Sequence, residues 1–89
     1  MEKRIGSALI LIRDNAGVTR LNEILSFHSS IIIGRQGIPL RDKKINLISL
    51  VLEGSTDEIS ALTGQIGRLP GMEIKSVLTR FKEQHSEEI

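Results

Sequence analysis

The stretch IIIGRQGIP, residues 31–39, sets Arg35 and Gln36 between Gly34 and Gly37 and closes at Pro39. Backbone amides left open beside glycines, an arginine among them and the cations Arg41, Lys43 and Lys44 just downstream form a pattern suited to holding an anion. The segment carries neither the sequence of a phosphate-binding loop nor the helix that follows one. The plainer alternative is a bent sheet edge. A glycine inside a strand marks a bulge or the close approach of another backbone, and a proline fits where no ladder amide is needed. Gly34 and Gly37 are an odd number of residues apart, so in a regular strand they point to opposite faces. A second loop of turn-forming types, Asp14-Asn15-Ala16-Gly17, follows the first apolar run. The candidate ligand-binding residues are therefore Asp14, Asn15, Gly17, Gly34, Arg35 and Gly37.

Other reactive side chains do not assemble into a catalytic pattern. Ser29, Ser30 and Ser55 have no base partner at a recognisable spacing, and Asp57 and Glu58 are accounted for by helix capping. His28 falls on an apolar helical stripe near the helix C-terminus, a position that suits a structural imidazole facing the helix dipole. The second histidine, His85, lies in a polar tail, and Glu23, Asp57 and Glu58 share no ligand spacing with either. No catalytic residue and no metal ligand is assigned, and no cofactor is expected. The chain has no cysteine, which rules out disulfides, thiol nucleophiles and cysteine-held clusters.

The elements that must position these residues follow from the apolar pattern. Residues 5–13 read as a first strand, and Val18, Leu21, Ile24, Leu25 and His28 recur at helical spacing, with Asn15 or Asp14 expected as N-cap. Residues 31–38 and 45–53 read as a strand hairpin joined by the polar break at 41–44. Ser55-Thr56-Asp57-Glu58 matches a capping box, and Ile59, Leu62, Ile66 and Leu69 continue a second helix to Pro70-Gly71. Met72, Ile74 and Leu78 then alternate with Glu73, Lys75 and Thr79 as in an edge strand with one wet face. The order β-α-β-β-α-β is an α+β, ferredoxin-like sandwich. Its sheet has four strands of antiparallel type, with strands one and three central and both helices on one face. Residues 1–81 form one ferredoxin-like domain, and residues 82–89 a polar C-terminal tail.

If Ala8, Ile10 and Ile12 face the helices with Ile48, Leu50 and Leu52, then Ile5, Leu9, Leu11, Ile45, Leu47 and Val51 lie on the opposite face, which no element of the chain covers. Six such side chains are too many for scattered surface apolar residues. Burying them is worth on the order of 9–18 kcal/mol as an upper estimate, comparable to the ~4–15 kcal/mol rigid-body cost of association. A homo-oligomer, dimer or tetramer, built sheet to sheet or edge to edge, is expected.

At 89 residues, 26% charged and with net charge +1, the composition is that of an ordinary small globular domain. Near-neutral charge and the absence of aromatic residues from the central strands argue against direct nucleic-acid binding. The longest apolar run, residues 8–12, is too short to cross a bilayer, and MEKR leads into a strand rather than a signal peptide. No membrane association is expected, and the cytoplasm is the default compartment.

The segment IIIGRQGIPLRDKKINLISLVLEGSTDEISALTGQIGRLPG, with EKRIGSALILI at the start and LNEIL in the first helix, resembles the small regulator family of the iron-only hydrogenase system. The likeness extends from residue 2 to about residue 79 and is most specific in GRQGIP and in TDEISALTG followed by GRLPG. It implies a ferredoxin-like domain similar to ACT regulatory domains and to the C-terminal domain of the nickel-responsive regulator. The nickel site does not transfer, because the cysteine and histidine cluster it needs is absent here. The expected function is a regulatory module that oligomerises through its sheet and binds a small-molecule effector at a subunit boundary. A small dimeric enzyme using His28 as proton carrier in a cavity between sheet and helices is one alternative. A ligand-free module that binds a hydrogenase-system protein partner is another.

Overall fold

The computed structural model describes residues 2–83. The first strand, β1 (Lys3–Ile12), leads through a short loop to helix α1 (Val18–Phe27). A 3-10 turn (Ser29–Ile31) then opens strand β2 (Ile32–Leu40), and a second one (Arg41–Lys43) joins it to β3 (Ile45–Gly54). Helix α2 (Thr56–Gly67) and strand β4 (Met72–Glu83) complete the order βαββαβ. The strands form one antiparallel sheet in the order β2-β3-β1-β4. Both helices pack on one face, so the expected ferredoxin-like α+β sandwich is the fold of this chain.

The alternation in β1 and β3 decides where the core lies. Ile10 sits between Ile48 and Ile74, and Ala8 between Leu50 and Ser76, which aligns the even-numbered side chains across the sheet. Ala8, Ile10, Ile12, Leu50 and Leu52 meet Leu21, Ile24 and Leu25 from α1 and Ile59, Leu62 and Ile66 from α2 in one buried cluster, with Ile48 and Ile74 packed against it. The helical residues recur every three or four positions and so share a stripe on each helix. The start of α2 is fixed by the expected capping box: the Glu58 amide donates to Ser55 Oγ at 3.1 Å, and the Ser55 amide donates to Glu58 Oε1 at 2.8 Å. Two otherwise orphaned amides are thereby satisfied where the chain is buried.

The first helix begins differently from the sequence expectation. Its N-cap is Gly17, with no side-chain cap. Asp14 instead accepts a hydrogen bond from the Ala16 amide at 2.9 Å, and the Asn15 carbonyl accepts one from Val18 at 3.2 Å. The Asx turn consumes the capping potential of Asp14, four residues before the helix starts at Val18. Residue 31 also closes a 3-10 turn rather than opening β2, because Ile31 drops into the core.

Both edges of the sheet are irregular. In β2 the register slips between Ile32 and Gly34, leaving Ile33 as the extra residue of a bulge, and Pro39 lies on the outermost strand. On the other side, β4 slips against β1 between Arg4 and Gly6. There the Thr79 hydroxyl donates to the Ile5 carbonyl at 2.7 Å, and the Arg4 guanidinium donates to the Thr79 carbonyl at 2.7 Å. Strand β4 extends to Glu83, two residues into the segment read as tail. Residues 84–89 of that segment lie outside the described residues.

Candidate functional site

The feature that stands out chemically is a cleft of about 430 Å³ at one end of the sheet, between the loop leaving β1 and the β2–β3 hairpin. Register brings these segments together: Ile12, the last residue of β1, lies opposite Asn46, one residue after the hairpin ends at Leu40 and Ile45. Ile12, Leu40 and Ile45 supply an apolar floor, and Arg13, Asp14, Asn15, Arg41, Lys44 and Asn46 the polar walls.

The β1 wall is held in place from behind. The Arg13 amide donates to the Gly71 carbonyl at 2.7 Å, and its guanidinium pairs with Glu73 at 3.1 Å. Gly71 has φ +70°, and a Cβ there would fall 2.5 Å from Asp14 Oδ1. Only glycine accommodates both that backbone and the adjoining carboxylate.

The hairpin wall carries the free charge. Lys43 pairs with its neighbour Asp42 at 3.1 Å, and neither lines the cleft. Arg41 and Lys44 do line it, and among the described residues neither side chain has a hydrogen-bond or ion-pair partner. Lys44 adopts the left-handed conformation at φ 57°, ψ 36°, and its amide donates to the Arg41 carbonyl at 3.2 Å. A lysine at positive φ costs roughly 1–2 kcal/mol relative to ordinary backbone.

The candidate ligand residues are divided by this arrangement. Asp14 and Asn15 line the cleft. Gly17 is buried under Leu69 and Pro70, where an added Cβ would lie 3.2 Å from Leu69 Cβ. Gly34 lies beside Val51, Gly37 opposite Ile48 with open space above it, and Arg35 opposite Leu50. Arg35 is thus five residues up the strand from Leu40, about 17 Å at strand spacing. Arg13, Leu40 and Asn46 were not legible as lining residues, since they meet only through the register of β1 against β3. The signal for the hairpin wall was the basic run at 41–44.

The six candidate interface residues all belong to β1 and β3. Leu9 and Val51 remain 47% and 43% exposed on the face away from the helices, where Val77 from β4 and Ile38 from β2 join them at 63% and 38%. Ile5, Leu11, Ile45 and Leu47 are already half-covered by neighbouring side chains. On the helical side, His28 Nε2 meets Gln65 Oε1 at 3.2 Å and links α1 to α2. The space between sheet and helices is filled by core side chains, and the groove at His28 opens on the outer surface beside Phe27, Asp57, Glu58 and Ala61. Among the described residues no group of three or more metal-ligating side chains is assembled, and no helix is long and apolar enough to cross a membrane.

A family model, TM1266-like, matches residues 4–76, most of the chain. The chain belongs to the TM1266-like family. That family's description reads "Iron-only hydrogenase system regulator, putative". The structure of the uncharacterized protein TM1266 from Thermotoga maritima superposes with a TM-score of 0.83 at 32% identity, covering 88% of this chain and 99% of that one. The C-terminal domain of the MgtC protein from Mycobacterium tuberculosis shares the fold alone, with a TM-score of 0.62 at 15% identity over 92% of this chain and 94% of that one. Among curated proteins none matches. The regulator family read from GRQGIP and TDEISALTG is thus the family of this chain.

Proposed function

We propose that this member of the TM1266-like family is a regulatory module that pairs through the uncovered face of its sheet and takes a small effector at the boundary between copies. The observation that carries the reading is the double membership of Leu40 and Ile45. Both lie in the cleft floor, and their register places them on the same sheet face as Leu47, Leu9 and Val51. A second copy seated on that face would border the cleft. The size is suitable: four strands ~4.8 Å apart and about ten residues long at ~3.4 Å each span roughly 650 Å² before side-chain relief, near the ~800 Å² per partner of a stable interface.

The mechanism is a population shift. An effector in contact with both copies binds the paired state more tightly than the single one, so its concentration sets the fraction paired. The paired surface would then be read by a protein of the iron-only hydrogenase system, the setting that the family description supplies. Sedimentation velocity of the full chain tests the reading. Pairing in the wild type and its loss in Leu9→Lys is the expected result, and a wild type that sediments as a single copy at all concentrations refutes it.

A further inference from the structure

We propose that the cleft binds a small oxyanion, a carboxylate or phosphate carried on a short apolar body, with Arg41 and Lys44 as its charge partners. The inference rests on the regulatory reading above and names the chemical class of its effector. Three observations carry it. First, the hairpin sorts its charges: Asp42 neutralises Lys43 outside the cleft, while Arg41 and Lys44 face the cleft uncompensated. Second, the single carboxylate of the lining, Asp14, is turned to its own loop, accepting from the Ala16 amide and lying against Gly71. It is thereby held as part of the wall, and Arg13 beside it is balanced by Glu73. The uncompensated charge in the cleft is positive. Third, Lys44 is held at positive φ in a turn where glycine or asparagine would sit without strain. The strained residue is one of the two free cations.

The remaining lining completes the specificity. The side-chain amides of Asn15 and Asn46 supply donors beside the cations, and Ile12, Leu40 and Ile45 offer an apolar floor for a few carbon atoms. A volume of about 430 Å³ suits a metabolite-sized ligand rather than a nucleotide chain or a peptide. Arginine grips an oxyanion through two parallel hydrogen bonds and lysine supplies a point charge, so the pair orients as well as attracts.

The test is a titration of the full-length protein at constant ionic strength, with inorganic phosphate in one series and succinate in another, read by backbone amide shifts. Saturable shifts confined to residues 13–15 and 40–46 are expected, weakened about tenfold in Arg41→Gln and in Lys44→Gln and unchanged in Arg68→Gln, a control cation at the end of α2. Saturation by phosphate alone assigns a phosphate ligand, by succinate alone a carboxylate, and by both an oxyanion site without preference; each supports the proposal. Shifts that never saturate, that spread over the basic residues generally, or that persist undiminished in both glutamine variants overturn it. Sedimentation of the same samples separates this proposal from the one it rests on. Pairing without localised anion binding removes the oxyanion assignment alone, and anion binding by a permanently single chain removes the pairing.

Discussion

Replacing Leu9 with lysine places a charge at the centre of the uncovered sheet face. The magnitude follows from exposure. Complete burial of a leucine is worth about 1.5–3 kcal/mol, and Leu9 keeps 47% of its surface exposed in the single chain, so roughly 0.7–1.4 kcal/mol of that burial is still to be gained on pairing. In a symmetric pair the residue occurs twice, which doubles the loss to about 1.5–3 kcal/mol. An unsatisfied polar group left in the interface adds ~1–3 kcal/mol more. A total of about 2.5–6 kcal/mol weakens the pair by roughly two to four orders of magnitude in Kd. Leu9, Ile38, Val51 and Val77 together offer roughly two full side chains of burial per copy, on the order of 6–12 kcal/mol for a pair, against an association cost of ~4–15 kcal/mol. The margin is narrow, so one substitution suffices. Sedimentation velocity over a hundredfold range of concentration, on the wild type, Leu9→Lys and Leu47→Lys, measures the change. Because Leu9 points away from the core, the thermal midpoint of the separated chain is expected to stay within a few degrees. Identical sedimentation of both variants and the wild type would refute the argument.

Three further changes probe the parts of the fold that build the site. Ser55→Ala removes the acceptor of the Glu58 amide and is expected to cost about 0.5–2 kcal/mol in urea denaturation; an unchanged midpoint would show that the capping box contributes nothing net. Gly71→Ala forces a side chain onto a backbone at φ +70° and into the Asp14 carboxylate. It should cost roughly 1–2 kcal/mol from the backbone alone and shift the amide signals of residues 13–16, and a neutral melt with unmoved signals would contradict the close approach. Lys44→Gly relieves a left-handed residue at ~1–2 kcal/mol while giving back ~0.4–1 kcal/mol in chain entropy. A thermal midpoint equal to or above that of the wild type is expected, together with weaker phosphate or succinate binding, and a clear loss of stability would remove the strain argument.

The two layers were legible because each rests on a short-range rule. Alternation in β1 and β3 separates Ile10 from Leu9, and the capping box at Ser55 and Glu58 announces α2 from four consecutive residues. Where two local rules competed, the sequence favoured the wrong one: Asp14 and Asn15 are good N-caps, yet the turn they form ends before α1 begins at Val18. The cleft was only half legible. Asp14 and Asn15 stood out as loop types and Arg41 and Lys44 as a charge run, but their meeting depends on Ile12 lying opposite Asn46, a register set by pairing between segments more than thirty residues apart. The glycines that flank Arg35 in the sequence point to a site farther up β2. Gly34 lies at the bulge, and open space remains above Gly37.

The central place of β1 has a consequence for how the chain is made. Its first strand pairs on one side with its last, with Lys3 opposite Glu83 in the register. At ~5–20 residues per second of synthesis, several seconds pass between the appearance of β1 and that of β4. Before then, β2, β3 and β1 can assemble with both helices, and β1 stands as an open edge rich in isoleucine and leucine, the kind that recruits foreign strands. Strand β4 closes that edge and sets Glu73 and Lys75 beside Leu11 and Leu9 on the uncovered face. The strand made after the other three therefore acts as a built-in guard against misassembly, and a chain cut short before Met72 is expected to aggregate rather than fold.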